Sequence, residues 1–400
     1  MPGPGAYLVG EEEKREVEEV LKTGYVSRYG EADNPSFKRK VVTLEETFAE
    51  VVGVKHCVAL SGGTGAIMAA LVALGVGPGV EVLVPGYTFV ASISAIIAVG
   101  GEPILTEIDE SLTMDPADIE KKITKNTKGI VPVHMLGNPC DLDPIIEIAK
   151  KHGLFILEDC CQALGASYRG RRVGSMGDMG AFSLNIYKTI TCGDGGLITT
   201  NDKNLYEQAF GFHDQGHLPL RMGVEIGKRG LIGINLRLNE LSGAFALGQL
   251  KKLEYILHTL REKKTKLKDA IIAGGIQNMD FRRINDPGEC HTLLTVLFKD
   301  ISTAHLVAEA LGTTTVSHSG WHVYNNMEQI LAYTDSAGNR PYRKHMLPQT
   351  DDILNRAVNL SVGVADRGLG AGFGINILSD DEEIQKTAEA LIRIVKPIVD

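Results

Sequence analysis

The sequence lacks a long apolar run. None of its stretches reaches the roughly 18 to 20 consecutive apolar residues that a membrane-spanning helix needs. Residues 1–7 also lack the basic region followed by an apolar stretch that is typical of a secretion signal. We therefore expect no membrane partner and a cytoplasmic protein.

Paired cysteines and concentrated basic charge are absent as well. The six cysteines show no Cys-x-x-Cys spacing, so we predict neither a disulfide framework nor a bound metal. The formal net charge is -9 and charges of both signs are interspersed, which argues against nucleic acid as a partner because nucleic acid requires a concentrated basic face. The Walker phosphate loop is also missing.

The residues that are present indicate an α/β domain. A 400-residue chain with 44% hydrophobic residues is long enough for one large core or two unequal domains. From about residue 55 to 200, short β-branched runs alternate with helical segments, which predicts a mostly parallel sheet flanked by helices. The predicted strands are 82–84, 103–108, 129–133, 154–157, 180–184 and 196–200. The predicted helices between them are 65–74, 91–99, 116–122 and 142–151.

The C-terminal part has a mixed pattern. Apolar spacing predicts one long helix from near Asn239 toward Lys263, followed by a strand at 292–298 and helices at 305–311 and 380–398. We also predict a helix at 11–23 and expect it to pack against the C-terminal part. The expected organisation is a large domain at 30–262 and a smaller α+β domain formed by 1–29 and 263–400.

Asp159 is the first candidate for chemistry. It ends an apolar run within 157–163, and α/β folds place ligand sites at the C-terminal ends of strands. A carboxylate in that position can keep a pyridine nitrogen protonated. The alternative, an aspartate that caps the next segment, is the commoner situation for such a residue.

Lys188 is the second candidate. It lies in 180–196, where a predicted strand leads into a lysine and then into a glycine-rich turn. A lysine that forms a Schiff base must lose its proton, and burial in a cofactor pocket lowers the lysine pKa. The alternative is a solvated loop lysine, which is far commoner in proteins.

A glycine turn supplies the third signal. The segment 61–67 leads directly into a predicted helix, so its free backbone N–H groups and the Thr64 hydroxyl can bind a phosphate. Such turns are common, but this one occurs together with Asp159 and Lys188. One ligand with a phosphate, a basic ring nitrogen and a carbonyl group satisfies all three signals, and pyridoxal 5'-phosphate is such a ligand.

Five segments carry a resemblance to a known family. They are Gly63-Thr64-Gly65-Ala66, 85–91, 158–163, 183–196 and 233–241. In order and spacing they resemble the DegT/DnrJ/EryC1/StrS family of pyridoxal-phosphate-dependent sugar aminotransferases, over about residues 43 to 253. The resemblance implies the fold type I architecture of the aspartate aminotransferase superfamily.

The resemblance also implies roles for individual residues. Lys188 would form the Schiff base with the cofactor, and Asp159 would pair with the pyridine nitrogen. Gln162 would bond the phenolic oxygen, and Phe89 would stack on the ring. The phosphate would be held by the turn at Gly63, by Thr64, by the Gly65 backbone and by Ser183. Gly62 departs from the family pattern, since many relatives have serine there.

Further residues are implied at the edges of the site. Asn235 would reach the cofactor phosphate of a neighbouring subunit, so that a homodimer shares its active sites. Arg237 is a weaker candidate there, and a structural ion pair is equally expected for it. Asn185 and Tyr187 are expected as substrate contacts only. His322 and Tyr324, in a loop with the chain's one Trp, are further candidates for sugar binding.

The function that follows is amino transfer. The resemblance implies that an amino group moves from glutamate or glutamine to a keto or aldehyde sugar, in the biosynthesis of amino sugars for a natural product, an antibiotic or a surface polysaccharide. Two alternatives stay open. The same scaffold can carry a sugar dehydratase or another lyase reaction, and a non-catalytic regulatory protein can keep the fold.

Overall fold

The structure is a computed structural model that describes residues 2–31, 33–219, 231–335 and 338–399. The helices in chain order are α1 (Pro4–Tyr7), α2 (Glu11–Thr23), α3 (Lys40–Val52), α4 (Gly63–Ala73), α5 (Val90–Ala98), α6 (Pro116–Lys122), α7 (Leu142–His152), α8 (Lys203–His213), α9 (Glu240–Leu250), α10 (Leu253–Ala273), α11 (Ile301–Ala310), α12 (Glu328–Leu331), α13 (Pro348–Arg356) and α14 (Asp381–Val399). The strands are β1 (His56–Leu60), β2 (Glu81–Pro85), β3 (Glu102–Thr106), β4 (Thr127–Ile130), β5 (Phe155–Asp159), β6 (Ser167–Tyr168), β7 (Arg171–Arg172), β8 (Met179–Ser183), β9 (Gly196–Thr200), β10 (Met279–Phe281), β11 (Leu293–Phe298), β12 (Ala357–Ser361) and β13 (Phe373–Gly374).

A seven-stranded sheet forms the centre of the N-terminal two thirds of the chain. Its order is β1-β9-β8-β5-β4-β2-β3, and only β9 runs against its neighbours. The predicted α/β class, with a mostly parallel mixed sheet flanked by helices, is confirmed. The prediction missed β1, because His56-Cys57-Val58-Ala59-Leu60 has only one β-branched residue.

The direction of the strands decides where the site forms. β5 is parallel to β8, and β1 runs in the same direction because both β1 and β8 are antiparallel to β9. The segments after β1, β5 and β8 therefore leave the sheet at one edge. Gly63, Asp159 and Lys188 belong to those three segments, so strand direction alone brings the three candidates together.

A second, four-stranded sheet with the order β10-β11-β12-β13 lies in the C-terminal part. Helices α10 and α14 pack together through one continuous apolar core, with Leu260, Leu267, Ile384 and Leu391 all buried. Each such side chain contributes about 1.5–3 kcal/mol through removal of apolar surface from water. The strand and helices predicted for this region are present as β11, α11 and α14.

Two expectations about the connection between the parts were wrong. The helix predicted from Asn239 to Lys263 is two helices, α9 and α10, and α10 continues across the expected domain boundary at 262. Helix α2 does not pack against the C-terminal elements but against α9. The Gln249 Nε2 group donates to Glu13 Oε1 at 2.8 Å, and Lys252 Nζ lies 2.8 Å from Glu13 Oε2.

These contacts join residues that are far apart in the chain, and no local pattern predicts such pairs. The main partner of α2 is therefore α9, while the division into a large domain at 30–262 and a smaller domain formed by 1–29 and 263–400 stays a prediction. Within the described residues, none of the helices has the length and apolar character needed to cross a membrane.

Candidate active site

A cavity of about 550 Å³ opens at the edge of the large sheet where β1, β5 and β8 end. Its volume lies within the range of about 300–1,000 Å³ that is usual for small-molecule sites. Predicted residues among its walls are Gly63, Thr64, Phe89, Asp159, Gln162, Ser183, Asn185, Tyr187, Lys188 and His322. Most of the predicted site is therefore one continuous surface.

Asp159 is held in place by bonds to both carboxylate oxygens. The Cys161 backbone N–H donates to Oδ1 at 3.0 Å, and the Ser92 hydroxyl donates to Oδ2 at 2.6 Å. Thr88 Oγ1 lies 2.6 Å from Ser92 Oγ, which completes a chain from Thr88 through Ser92 to Asp159. The carboxylate is 2% exposed and faces the cavity, so it is a fixed anion in a protected position.

Lys188 is the cation in this cavity. Burial lowers the pKa of Lys188 below its usual range, although Cys161, Asp159 and Asp366 act in the opposite direction. Among the described residues, no acceptor lies within hydrogen-bonding distance of the Lys188 amine. An amine that is poorly solvated and unpaired loses its proton more readily than a surface lysine, and a nucleophilic lysine requires this property.

The N-terminus of α4 forms one wall of the cavity. Gly62 caps this 11-residue helix in an extended conformation, and the first backbone N–H groups of the helix have no acceptor within it. A Cβ atom at Gly63 would lie 2.7 Å from Ser183 Cβ, so only glycine allows the turn to approach the Ser183 hydroxyl. The buried Gly65 faces Leu236 instead of the cavity.

Phe89 and Gln162 also line the cavity. Phe89 is 39% exposed, and its ring centroid lies 5.3 Å from that of His322. Gln162 Oε1 accepts a bond from the Leu136 N–H at 3.1 Å. Within the described chain, the Gln162 NH₂ group has no acceptor, so it remains available as a donor to a ligand.

His322 is a neutral group in this setting. Burial, together with the nearby Lys188 charge, lowers the pKa of His322 to about 3. Its Nδ1 lies 2.8 Å from Ser319 Oγ, and this contact fixes the ring. His322 therefore meets a ligand as an uncharged imidazole at neutral pH.

Besides Gly65, three predicted residues lie outside the cavity. Tyr324 is fully buried, and its hydroxyl donates to Asp351 Oδ1 at 3.1 Å while it accepts from the Leu347 N–H. Tyr324 belongs to the core, so the prediction that it contacts the substrate was wrong. Asn235 lies on the exposed surface near the end of β1 and does not line this chain's cavity. Arg237 forms an ion pair with Asp214, which agrees with the structural role given as its alternative.

The sequence analysis missed several residues that line the cavity. Ser92, Thr88, Trp321 and Asp366 are examples. Ser92 lies in the first turn of α5, four positions after Thr88, and the Thr88 and Ser92 hydroxyl groups are 2.6 Å apart. The two neighbouring hydroxyl residues could have been recognised in the sequence. Asp366 reaches the site from the C-terminal part, and no sequence pattern indicates its place.

A buried cluster near the site resembles a metal centre but is fully bonded. Ligand atoms of His134, Glu158 and Cys160 lie within 4.8 Å of one another. The Cys140 N–H donates to His134 Nδ1, so Nε2 carries the proton and donates to Glu158. Glu158 also accepts three backbone N–H groups from the turn at 174–177. Its role is to hold that turn.

Comparison with known proteins places the chain in a family. Residues 8–365 match the model of the DegT/DnrJ/EryC1/StrS aminotransferase family. The chain therefore belongs to this family, and the resemblance stated from the sequence is confirmed.

Two curated relatives match part of the chain. A GDP-perosamine synthase of Caulobacter vibrioides is 40% identical over 243 residues, which are 60% of this chain and 62% of that protein. An L-glutamine:2-deoxy-scyllo-inosose aminotransferase of Streptoalloteichus tenebrarius is 41% identical over 235 residues, 56% of this chain and 55% of that protein. The matched regions thus span less than two thirds of these relatives.

A solved structure matches the fold over the whole length of the chain. The X-ray structure of an aminotransferase from Psychrobacter cryohalolentis superposes with a TM-score of 0.83 at 27% identity and covers 100% of both chains. The expected fold type I architecture is confirmed by such neighbours.

The cofactor of this family is pyridoxal 5'-phosphate, as expected. The cavity fits this group. It offers a fixed carboxylate for a ring nitrogen at Asp159, an unpaired amine at Lys188, and a helix N-terminus whose approach to Ser183 depends on Gly63. These three features correspond to the ring nitrogen, the carbonyl and the phosphate of the cofactor.

Proposed function

We propose that this protein is a pyridoxal-phosphate-dependent aminotransferase that moves an amino group from glutamate or glutamine to a keto or aldehyde sugar. Its place would be the biosynthesis of an amino sugar for a natural product, an antibiotic or a surface polysaccharide. The two relatives are named for a GDP-perosamine synthase and an inosose aminotransferase activity, and these activities support a polyhydroxylated acceptor.

One observation carries the proposal. The Lys188 amine and the Asp159 carboxylate face the same cavity, and neither is neutralised by a direct ion pair in the described structure. Structural ion pairs bring opposite charges into contact, whereas these two groups are separated by space that a ligand can fill. A cofactor with a basic nitrogen at one end and a carbonyl at the other would bridge them.

In the proposed mechanism, pyridoxal phosphate supplies an electron sink for the electrons that are released when a substrate C–H bond breaks. The bonds from Ser92 and Cys161 hold the Asp159 carboxylate in place, where it would keep the ring nitrogen protonated. The Lys188 amine would take the proton from the substrate carbon and return it at the cofactor's side, as a general base and then a general acid.

The remaining residues would bind and orient. Gly63, Thr64, the Gly65 N–H and Ser183 would hold the phosphate, Gln162 would donate to the phenolic oxygen, and Phe89 would cover one face of the ring. We assign Asn185, Tyr187 and the neutral His322 to substrate contact. Asn185 Nδ2 donates to Asp194 at 2.9 Å, so its side chain is already oriented at the cavity wall.

The site would be completed by a second subunit. Asn235 is exposed and lies next to β1, where it would reach the phosphate of the partner's cofactor in a homodimer. The bridge between Leu60 and Arg237 and the bond from the Ser61 N–H to the Leu236 carbonyl fix this segment. The prediction of a cytoplasmic enzyme rests on the sequence, in which no apolar run is long enough to span a membrane.

The absorbance spectrum of the purified, cofactor-loaded protein tests the proposal. Addition of glutamate or glutamine should convert the cofactor to its amine form and release 2-oxoglutarate or its amide. Lys188→Ala should abolish the lysine-linked absorbance band and turnover together. Lys203→Ala, at a surface lysine near Glu207, is the matched control and should leave both unchanged.

The same experiment separates the alternatives. If a sugar substrate turns over while neither amino donor ever yields the amine form, the protein is a dehydratase or another lyase and not an aminotransferase. If the spectrum shows bound cofactor but no substrate or donor changes it, a non-catalytic role is indicated.

A further inference from the structure

A second cavity, of about 600 Å³, lies away from the first one, between the β6-β7 hairpin and the C-terminal part. Strand β11 separates the two cavities. Leu293 lines the first cavity, and the next two residues, Leu294 and Thr295, line the second. None of the residues given a role in amino transfer lines this second cavity.

One face of α10 supplies positive charge to this cavity. Lys264, Thr265 and Lys268 lie three, four and seven positions after Arg261, so the four residues lie on the same side of the helix. Arg282, 3% exposed, lines the cavity from beyond β10. The wall thus carries four side chains that are cationic at neutral pH.

The carboxylates of the cavity do not balance this charge. Glu289 is bonded by Lys264 at 2.6 Å and 2.7 Å, and it is also the acid that lies nearest to Arg282, at 3.6 Å. The second carboxylate, Asp286, accepts backbone N–H groups of Arg169 and Gly288. Two carboxylates therefore face four cations.

Two of the cationic side chains have no carboxylate partner among the described residues. Arg261 donates through Nε to His291 Nε2 at 3.1 Å, and Lys268 Nζ lies 4.8 Å from the centre of the Phe281 ring. No carboxylate of the described chain pairs with either side chain. The Nε of the buried Arg282 also lacks an acceptor there. Burial lowers the pKa of Lys264 to about 8; the charge of Glu289 opposes this shift, and the charges of Arg282 and Lys268 add to it.

We propose that this cavity is a second ligand site, and that it binds a small organic anion with two adjacent negative groups, of the class of a nucleoside diphosphate. Arg261 and Lys268 would contact the diphosphate, since they are seven residues or about 10 Å of helix apart and flank Lys264. The apolar Phe281, Ile284 and Leu294 would receive a ring. The volume is larger than an inorganic anion requires.

Isothermal titration calorimetry on the full, cofactor-loaded chain tests this proposal. The probes are ADP, inorganic pyrophosphate and adenosine, which carry the ring and the diphosphate together or singly. We expect one ADP site for each chain, weaker binding of pyrophosphate, and no detectable binding of adenosine. ADP affinity should fall as salt is raised, because the contacts are ionic.

Three variants locate the site. Arg261→Gln and Lys268→Gln should each weaken ADP binding about tenfold, the loss expected for one charge-assisted contact. Lys266→Gln is the matched control, because Lys266 lies on the same helix but pairs with Asp381 outside the cavity, and it should leave binding unchanged.

Several outcomes would overturn the proposal. They are the absence of ADP binding at millimolar concentration, adenosine binding as strong as that of ADP, or ADP binding that neither cavity variant weakens. In the last case ADP occupies another surface, such as the first cavity. These results leave the proposed amino transfer untouched, because that reaction is read from the cofactor spectrum.

Discussion

Single residues at this site act through the contacts that hold them. Asp159 and Lys188 are ordinary side chains, and their chemistry comes from burial and from hydrogen bonds. The bond from Ser92 fixes the position of the Asp159 carboxylate, and burial favours the uncharged form of Lys188. Residues that touch these two groups should therefore change the reaction rate.

Ser92 provides the first test at this scale. Ser92→Ala removes a charge-assisted hydrogen bond of about 1.5–3 kcal/mol from Asp159. We expect kcat to fall about tenfold or more while KM for the amino donor changes little, because Ser92 acts on Asp159 and not on the donor. Steady-state kinetics would show this split between kcat and KM.

Ser94→Ala is the control for Ser92. Ser94 lies on the same helix and does not line the cavity. Equal losses of kcat in both variants would mean that α5 was disturbed in general, and the positioning role of Ser92 would then be wrong.

His213 provides a test of stability against pH. Burial, reinforced by the charge of Arg28, lowers the pKa of His213 from 6.5 to about 3. Arg28 Nη1 donates to His213 Nε2 at 2.9 Å, so the folded protein requires the neutral ring. Between these two pKa values the unfolded chain binds a proton that the folded chain does not, so stability falls as the pH falls.

The expected loss from His213 is about 2 kcal/mol between pH 6.5 and about pH 5. Urea denaturation at several pH values measures it. His213→Gln should be less stable at neutral pH but show a flatter dependence on pH in this window. His258→Gln, at a histidine whose side chain is 68% exposed, should keep the slope of the unmodified protein.

At the scale of elements, the turn between β1 and α4 determines whether a phosphate can bind. The helix supplies N–H groups and the partial positive charge of its dipole, and Ser183 supplies a hydroxyl. The helix N–H groups and the Ser183 hydroxyl can contact the same phosphate only if the turn lies close to β8. Gly63 makes that approach because it has no Cβ atom.

Gly63→Ala should therefore weaken cofactor binding. The added Cβ would lie 2.7 Å from Ser183 Cβ and 3.1 Å from Ser183 Oγ, so either the turn or the hydroxyl must move. A cost of about 1–3 kcal/mol for such overpacking corresponds to a rise of roughly tenfold or more in the Kd for pyridoxal phosphate. Titration of the cofactor-free protein, followed by absorbance, measures the change.

Gly62→Ala offers a matched control one residue away. A Cβ atom at Gly62 meets nothing within 4 Å, and its φ of -177° is extended backbone that any residue adopts. Its Kd for the cofactor should stay within about twofold of the unmodified value. A large loss in Gly62→Ala but not in Gly63→Ala would contradict the role given to the turn.

At the scale of the whole molecule, the N-terminal and C-terminal parts of the chain contribute to one cavity. Asp366 and His322 reach the cavity from the C-terminal part, whereas Asp159 and Lys188 come from the large sheet. In the proposed homodimer, Asn235 would add a group from the partner. An active site built in this way depends on assembly as well as on folding.

Complementation tests the shared site. Lys188→Ala and Asn235→Ala homodimers should each be strongly impaired. After mixing and exchange of subunits, a mixed dimer contains one site with both residues intact, so activity should recover to about a quarter of the unmodified level. If Asn235 served its own chain's cofactor instead, no mixed dimer would contain an intact site and activity would not recover.

The sequence by itself determined the fold class, most strands of the large sheet and the family, and it supplied the candidates for cofactor binding. These depend on local order: apolar runs predict strands, a glycine turn predicts a helix start, and motif spacing identifies the family. Asp159 and Lys188 were predicted for this reason, since each follows a strand in the chain.

Only the tertiary structure decided how distant segments meet. The packing of α2 on α9, the place of Tyr324 in the core and the approach of Asp366 to Lys188 join residues that are remote in sequence. No local periodicity encodes such pairs, because they depend on which surfaces become buried together. The bond of Ser92 to Asp159 is a further example. The sequence shows two hydroxyl residues at Thr88 and Ser92, but it does not show that Ser92 bonds Asp159, which lies 67 residues away.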